Sequence, residues 1–239
     1  MPQQTSTYPQ AHAPAFTEAE RLAVYRAIHE RRDMRHFSGG SVAPEVLLRL
    51  LQAAHHAPSV GFMQPWRFIR ITQPALRPAL HALVEQERIR TAQALGQRQE
   101  EFMRLKVQGI LEAAELLVVA LADGREQHLF GRRTMPQMDL ASASCAIQNL
   151  WLAARAEGLG MGWVSIFDPL ALGQLLGLPA GAEPIALLCL GPVQEFYQQP
   201  MLQSERWASR APLASLVFDD HWNTPSALFS ARLKEDANV

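Results

Sequence analysis

Three guanidiniums fall within five residues at Arg31-Arg32-Asp33-Met34-Arg35. Like charges at that spacing repel unless an anion lies among them, and the forked donors of arginine match a phosphate dianion. The same cluster also suits a solvated basic helix end, where cations complement the helix dipole. Asp33 inside the cluster suits a counter-ion, and its arginine neighbours would normally hold it ionised. A second run, from His55 to Trp66, carries Ser59, Met63 and Gln64 between a helix end and a Pro-Trp strand entrance, the kind of loop that lines ligand sites. Its adjacent histidines do not share a helical face, so they do not suit one metal ion. In a third run, Gly160 to Pro169, two glycines precede a strand and Ser165 interrupts apolar residues, so the backbone at Gly162 is expected to approach a ligand closely. A fourth, Arg206 to Val217, holds Arg210 before Pro212-Leu213. No zinc, Walker or G-x-G-x-x-G signature occurs. Taken one at a time, none of the four runs fixes a function.

The elements that must position these residues are legible in outline. Thr17 to Arg31 opens with a capping box of Thr17 and Glu20, and Leu22, Tyr25 and Ile28 recur at helical spacing. A loop, His36 to Val42, leads to a helix that begins at Pro44, buries Leu47, Leu50, Leu51 and Ala54, and ends by Pro58. Strands are expected at Phe68 to Thr72, Leu116 to Leu121, Trp163 to Phe167 and Ile185 to Leu190. Residues 74–115 read as a long charged helical region broken near Gly96. Residues 124–138 read as a polar loop able to act as a lid. Asp139 is expected to cap a helix over 140–157 whose stripe is Leu140, Ala143, Ile147, Leu150, Trp151 and Ala154, with Gly158 just past its end. Its small residues would let another helix approach closely. Phe196, Tyr197, Trp207, Phe218 and Trp222 are scattered along a tail with little periodicity.

At 239 residues and 48% hydrophobic, the chain suits one large domain with a sizeable core. The longest apolar run free of Gly and Pro, Leu116 to Ala122, is far short of the roughly 20 residues of a membrane span. The polar start, MPQQTSTYPQAHAPAF, has no secretory pattern and reads as a disordered tail. A net charge of -1 gives no electrostatic case for nucleic acid. Cys145 and Cys189 sit in apolar stretches and read as buried, inert thiols in a reducing cytoplasm.

In order along the chain, four patterns resemble the nitroreductase superfamily: R-R-x-x-R-x-F at Arg31 to Phe37, P-S…Q-P-W at Pro58 to Trp66, L-G-L-P…P-I-A-L-L-C-L-G at Leu176 to Gly191, and R-x-P-L at Arg210 to Leu213. Within it the chain is most similar to the BluB family, the 5,6-dimethylbenzimidazole synthases of cobalamin synthesis. Asp33 stands where ordinary nitroreductases usually have Ser. The loop Ser59 to Trp66 has the BluB form, where nitroreductases generally carry an Asn near Phe62. Gly162 to Pro169 and Gly131 to Leu140 are also close to that family.

The resemblance implies an α+β nitroreductase-like fold, a mixed sheet flanked by helices, in an intertwined homodimer. The FMN domain would span 17–222, with tails at 1–16 and 223–239. It implies an oxidoreductase that consumes reduced FMN as substrate with molecular oxygen, and needs no metal. The dimethylated ring becomes the benzimidazole, its two-ring carbon comes from ribityl C1′, and erythrose 4-phosphate leaves. A separate NAD(P)H flavin reductase would supply the reduced flavin, in the cytoplasm, with neither nucleic acid nor membrane as partner. By the same resemblance the flavin contacts are Arg31, Arg32, Asp33, Met34, Arg35, Ser59, Met63, Gln64, Gly162, Ser165 and Arg210. Asp33 and Ser165 are the catalytic candidates, and Phe62 and Met63 would narrow the pocket over the ring. The rival readings are an NAD(P)H-dependent nitroreductase or flavin reductase that returns FMN intact, and a non-catalytic FMN-binding protein.

Overall fold

A computed structural model describes residues 15–229. Most of the tails expected at 1–16 and 223–239 lies outside the described residues, although 223–229 is described and ends in a turn at Ala227–Phe229. The chain divides into two compact units between Gln198 and Gln199.

The first unit is built on a four-stranded sheet. Its strands are β1 (Trp66–Arg70), β2 (Glu115–Leu121), β3 (Gly160–Val164) and β4 (Glu183–Gly191), in the order β1-β2-β4-β3. All three pairings are antiparallel, and the parallel component is an isolated bridge from Asp33 to Met161 at the outer edge of β3. Strands β2 and β4 are central, with near-continuous apolar sequence, because helices cover both faces of the sheet. Leu117, Val119 and Leu121 point to one face, and Leu116 and Val118 to the other.

On the first face lie α2 (Pro44–His55), which buries Leu47, Leu50 and Ala54, and a 19-residue helix, Met138–Ala156. Small residues Ser142, Ala143 and Ala146 on the long helix are buried, which permits the close packing expected of them. On the second face, α3 (Leu76–Ala94) contributes Leu80 and Val84, and the short helix Pro169–Leu176 contributes Leu172. We number Gln99–Arg104, Met138–Ala156 and Pro169–Leu176 as α4, α5 and α6.

Helix α1 (Glu18–Glu30) carries the expected capping box but buries no residue. Leu22, Tyr25 and Ile28 are 58%, 52% and 42% exposed, so its apolar spacing meets no core among the described residues.

Several boundaries differ from expectation for identifiable reasons. The helical stretch after residue 74 ends at Arg104, and 105–114 is irregular because Leu105, Ile110 and Ala113 are drawn into the core. Strands β1 and β3 begin two and three residues earlier than expected, so Ser165 falls just past β3 rather than within it. Helix α5 begins one residue before Asp139, which is buried in its first turn instead of capping it. Leu140, assigned to the buried stripe, is 43% exposed. Cys145 is also exposed, while Cys189 is buried, and burial pushes its thiol up to about 11.

The second unit carries a helical turn α7 (Met201–Ser204), a short turn at Leu213–Ser215 and a bridge from Phe218 to Pro225. Phe218 packs on Trp222 with ring centres 5.3 Å apart. Among the described residues, no helix is long and apolar enough to cross a membrane.

Leu150, fully buried at the centre of α5, tests this core. Leu150→Ala should lose roughly 2–5 kcal/mol of unfolding free energy in urea titration. A loss below about 0.5 kcal/mol, the range of surface substitutions, would contradict its placement.

Candidate functional site

The arginine cluster begins where α1 ends, and the structure gives each guanidinium a different set of partners. Arg31 is the C-cap of α1 and lies over the Trp151 ring, 4.6 Å from its centre. Arg32 turns back on the helix end, donating to the carbonyls of His29 (2.6 Å) and Arg31 (2.9 Å), and its Nη2 donates to Gln198 O at 2.9 Å. That is the helix-end role of a cation, and it binds unsatisfied carbonyls as well as charge. Trp151 supports the turn by donating from Nε1 to Arg32 O at 3.2 Å.

Arg35 points inward and is almost fully buried. Its Nη2 donates to Asp33 Oδ2 at 2.5 Å and to Trp163 O at 2.8 Å. Asp33 completes the junction by accepting from the Trp163 N–H at Oδ1, at 3.1 Å. The chain at 33–35 thus runs beside β3, with Met34 N–H donating to Met161 O at 2.9 Å.

Gly162 is what allows this approach. A methyl group there would stand 2.3 Å from Met34 O, 3.3 Å from Asp33 Oδ1 and 3.4 Å from Arg35 Nη1. Sequence reading expected a ligand at this backbone; the close approach seen here is that of the protein's own Asp33–Arg35 segment. Met34, expected at the flavin, has its side chain in the core, against the Gly160 position.

Among the described residues, two donors in this region are buried without a hydrogen-bond partner, Arg35 Nη1 and Arg32 Nε. A buried unpaired donor is costly, and it marks where an acceptor would be bound tightly. Asp33 keeps an open edge, with 43% of its side chain exposed beside the pair.

The titration of Asp33 differs in direction from what the sequence implied. Burial raises its carboxyl above the ordinary range, and Arg35, the Trp163 N–H and Arg31 oppose that shift without overcoming it. The arginines nearby do not hold Asp33 at low pKa, because the cost of desolvating its charge outweighs the attraction of Arg35 and Arg31.

The loop from Ser59 to Trp66 is tightly wound. Ser59 Oγ accepts from Gln64 N–H at 3.0 Å, closing the turn. Gly61, Phe62 and Gln64 have φ of 52°, 55° and 49°, a left-handed run that is costly for the two non-glycine residues. Met63 and Gln64 are half-buried, while Phe62 is 83% exposed and covers nothing within its own chain.

Ser165 is exposed just beyond β3. Asp168, three residues on, caps α6 through bonds from Leu170 N–H (2.9 Å) and Ala171 N–H (3.1 Å), with Pro169 at the first helical position. Arg210 is exposed on the second unit.

One residue at this junction carried no sequence signal of a role in the site. Tyr197 accepts from the Arg35 N–H at 3.2 Å and meets His36 Nδ1 at 2.6 Å. It is 162 residues from Arg35, and only the fold brings them together.

This arrangement, an antiparallel sheet with an arginine–carboxylate pair docked on its glycine edge, defines a class that comparison with known proteins identifies. The nitroreductase family model matches residues 28–192, and the chain belongs to the nitroreductase family. Among curated relatives, the 5,6-dimethylbenzimidazole synthase of Rhodospirillum rubrum is 39% identical over 203 residues, covering 83% of this chain and 95% of that protein. A BluB-like flavoprotein from Clostridium difficile superposes with a TM-score of 0.62 at 19% identity, covering 83% of this chain and 99% of that one. Iodotyrosine deiodinase bound to FMN and 3-iodo-L-tyrosine superposes at 0.64 and 20% identity, covering 83% and 99%.

The direction of the Asp33 shift makes a prediction about stability. The folded protein holds this proton more tightly than the unfolded chain, so ionising Asp33 opposes folding. The contribution is complete below the ordinary carboxylate pKa of about 4 and is lost as pH rises through the higher folded value. Asp33→Asn removes the titration, so its melting temperature relative to the parent should shift in the variant's favour between pH 4 and 7. A difference that is flat with pH, or that moves the other way, would contradict the raised pKa.

Proposed function

We infer that the chain is a 5,6-dimethylbenzimidazole synthase, an oxidoreductase that fragments reduced FMN with molecular oxygen. The observation that carries this reading is 39% identity to a synthase across 83% of this chain and 95% of that protein. Asp33 at the glycine edge of β3 gives it a chemical locus.

The residues present fit the flavin. The unpaired Arg35 Nη1 and Arg32 Nε are cationic donors for its polar edge and phosphate, with Arg31 beside them. Ser59, Met63 and Gln64 would lie along the ring, and Gly162 and Ser165 at its reacting edge. For Arg210, Met34 and Ser165 the assignment rests on the resemblance alone. Reduced FMN supplies the ring carbons and the electrons that oxygen takes up.

The protein's own part is to bind, orient and move protons. Arg35 fixes the Asp33 carboxylate through Oδ2 and the Trp163 N–H fixes it through Oδ1, leaving its open edge to meet ribityl C1′, where protons must be lost. A carboxyl whose proton is held more tightly than usual is a better proton acceptor than an ordinary carboxylate.

The working unit is a homodimer. The exposed apolar residues of α1, with Phe62 and Phe130 at 83% and 84% exposed, support a covering second copy. Erythrose 4-phosphate is the second product, a separate NAD(P)H flavin reductase supplies the reduced FMN, and the setting is the cytoplasm. No metal takes part. The FMN domain spans 17–222.

Asp33→Asn separates flavin binding from flavin destruction. The variant should bind reduced FMN anaerobically and consume oxygen on admission of air. Chromatography should then show intact FMN and hydrogen peroxide, with benzimidazole formation down by about 10²–10⁴, the contribution of a positioned general base. Near-normal benzimidazole yield would remove Asp33 from proton transfer.

A further inference from the structure

The segment expected to be a free lid, 124–138, is instead anchored by buried charge. Asp139 is 5% exposed, and its Oδ2 takes Arg125 Nε at 2.9 Å and Arg132 Nη2 at 3.0 Å. Both arginine side chains are 13% exposed. Each guanidinium also binds backbone: Arg125 Nη1 donates to Ala122 O and to Gly181 O, the latter at 2.8 Å, while Arg132 donates to Pro136 O at 3.1 Å and Arg125 O at 2.5 Å. One carboxylate therefore ties the first turn of α5 to both limbs of an otherwise exposed loop. Arg125 also reaches the more exposed Glu183 at 3.4 Å, so loss of Asp139 would strip the charge partner chiefly from the buried Arg132.

What the loop holds is the strained turn at 60–64. Its tip is stacked on that turn: a methyl at Gly61 would stand 2.9 Å from Phe130 O, and one at Gly131 would stand 2.6 Å from Val60 Cγ2. From beneath, Ser142 Oγ accepts from Val60 N–H at 3.0 Å and donates to Met138 O at 2.6 Å. The turn is thus gripped between the loop tip and the start of α5. Phe62 and Gln64 are bulky residues in left-handed backbone, which persists only where the surroundings over-determine it.

We propose that the Asp139–Arg125–Arg132 network is a positioning device: by pinning the loop tip onto Val60 and Gly61 it holds Met63 and Gln64 at the flavin ring. None of the three residues touches the reacting atoms. The part concerning the flavin rests on the synthase reading above, whereas the mechanical part does not.

The test is peptide-resolved amide hydrogen exchange on the full chain without flavin, followed by product analysis with reduced FMN and air. Asp139→Asn should speed exchange at residues 60–64 while β2 and β4 stay protected as in the parent. It should divert oxygen to hydrogen peroxide, lowering benzimidazole formed per oxygen consumed by on the order of 10–100-fold, the scale of a misplacement of about 1 Å. Gly131→Ala reaches the same contact from the loop side without disturbing the buried charges and should give the same pattern, which decides the matter if Asp139→Asn does not fold. Unchanged exchange at 60–64 overturns the proposal. So does faster exchange there with the parent's product ratio. Faster exchange at 60–64 in variants of a parent that itself makes no benzimidazole would support the mechanical grip and defeat the synthase reading instead.

Discussion

A guanidinium that is almost wholly buried must be neutralised where it lies, and Arg35 sets that requirement for this protein. Removing a cation from water costs several kcal/mol that only well-placed partners recover. Asp33 supplies the opposite charge and Trp163 O supplies a second acceptor, both at Nη2. Those two partners lie on different segments, so satisfying Arg35 also fixes the chain after α1 against β3. Gly162 follows from the same constraint, because a side chain there would collide with Met34 O. Tyr197 closes the arrangement by accepting the Arg35 N–H.

The pair is also incomplete, and that is its functional interest. Arg35 is left with a buried donor that no group among the described residues meets, and Asp33 with an open edge and a proton bound more tightly than an exposed carboxyl would hold it. A purely structural salt bridge would be expected to close both valences. The proposed synthase reading uses both features, an acceptor at the arginine and a proton exchanged at the aspartate. The core beneath it is rigid: α5 packs α2 onto the sheet through small residues, and Trp151 carries the arginine cluster on its ring and indole N–H.

Much of this was legible in the residues. Central strands buried on both faces read as unbroken apolar runs, and the capping box of α1 and the proline of α2 marked those helix starts without tertiary information. The arginine cluster, the Ser59–Trp66 loop and the Gly160–Gly162 pair were visible as chemistry-bearing runs. Their mutual arrangement was not. Three adjacent guanidiniums suggested one shared anion, yet helix-end carbonyls, an indole ring and an aspartate divide them, because each side chain leaves the backbone in a different direction. Asp139 looked like a helix cap, since Asp before an apolar run usually is one. Burial beside Arg125 and Arg132 overrode that local preference. Tyr197 could not be found at all, because no local pattern records a contact across 162 residues.

On the synthase reading the protein destroys the flavin it binds rather than returning it intact. The most direct test is mass spectrometry of the flavin itself: anaerobic protein mixed with stoichiometric, chemically reduced FMN, then exposed to air without any reductase. The account predicts that FMN disappears and that 5,6-dimethylbenzimidazole and a four-carbon sugar phosphate appear in equal amounts. Oxidised FMN recovered whole, with hydrogen peroxide as the fate of the oxygen, would contradict it.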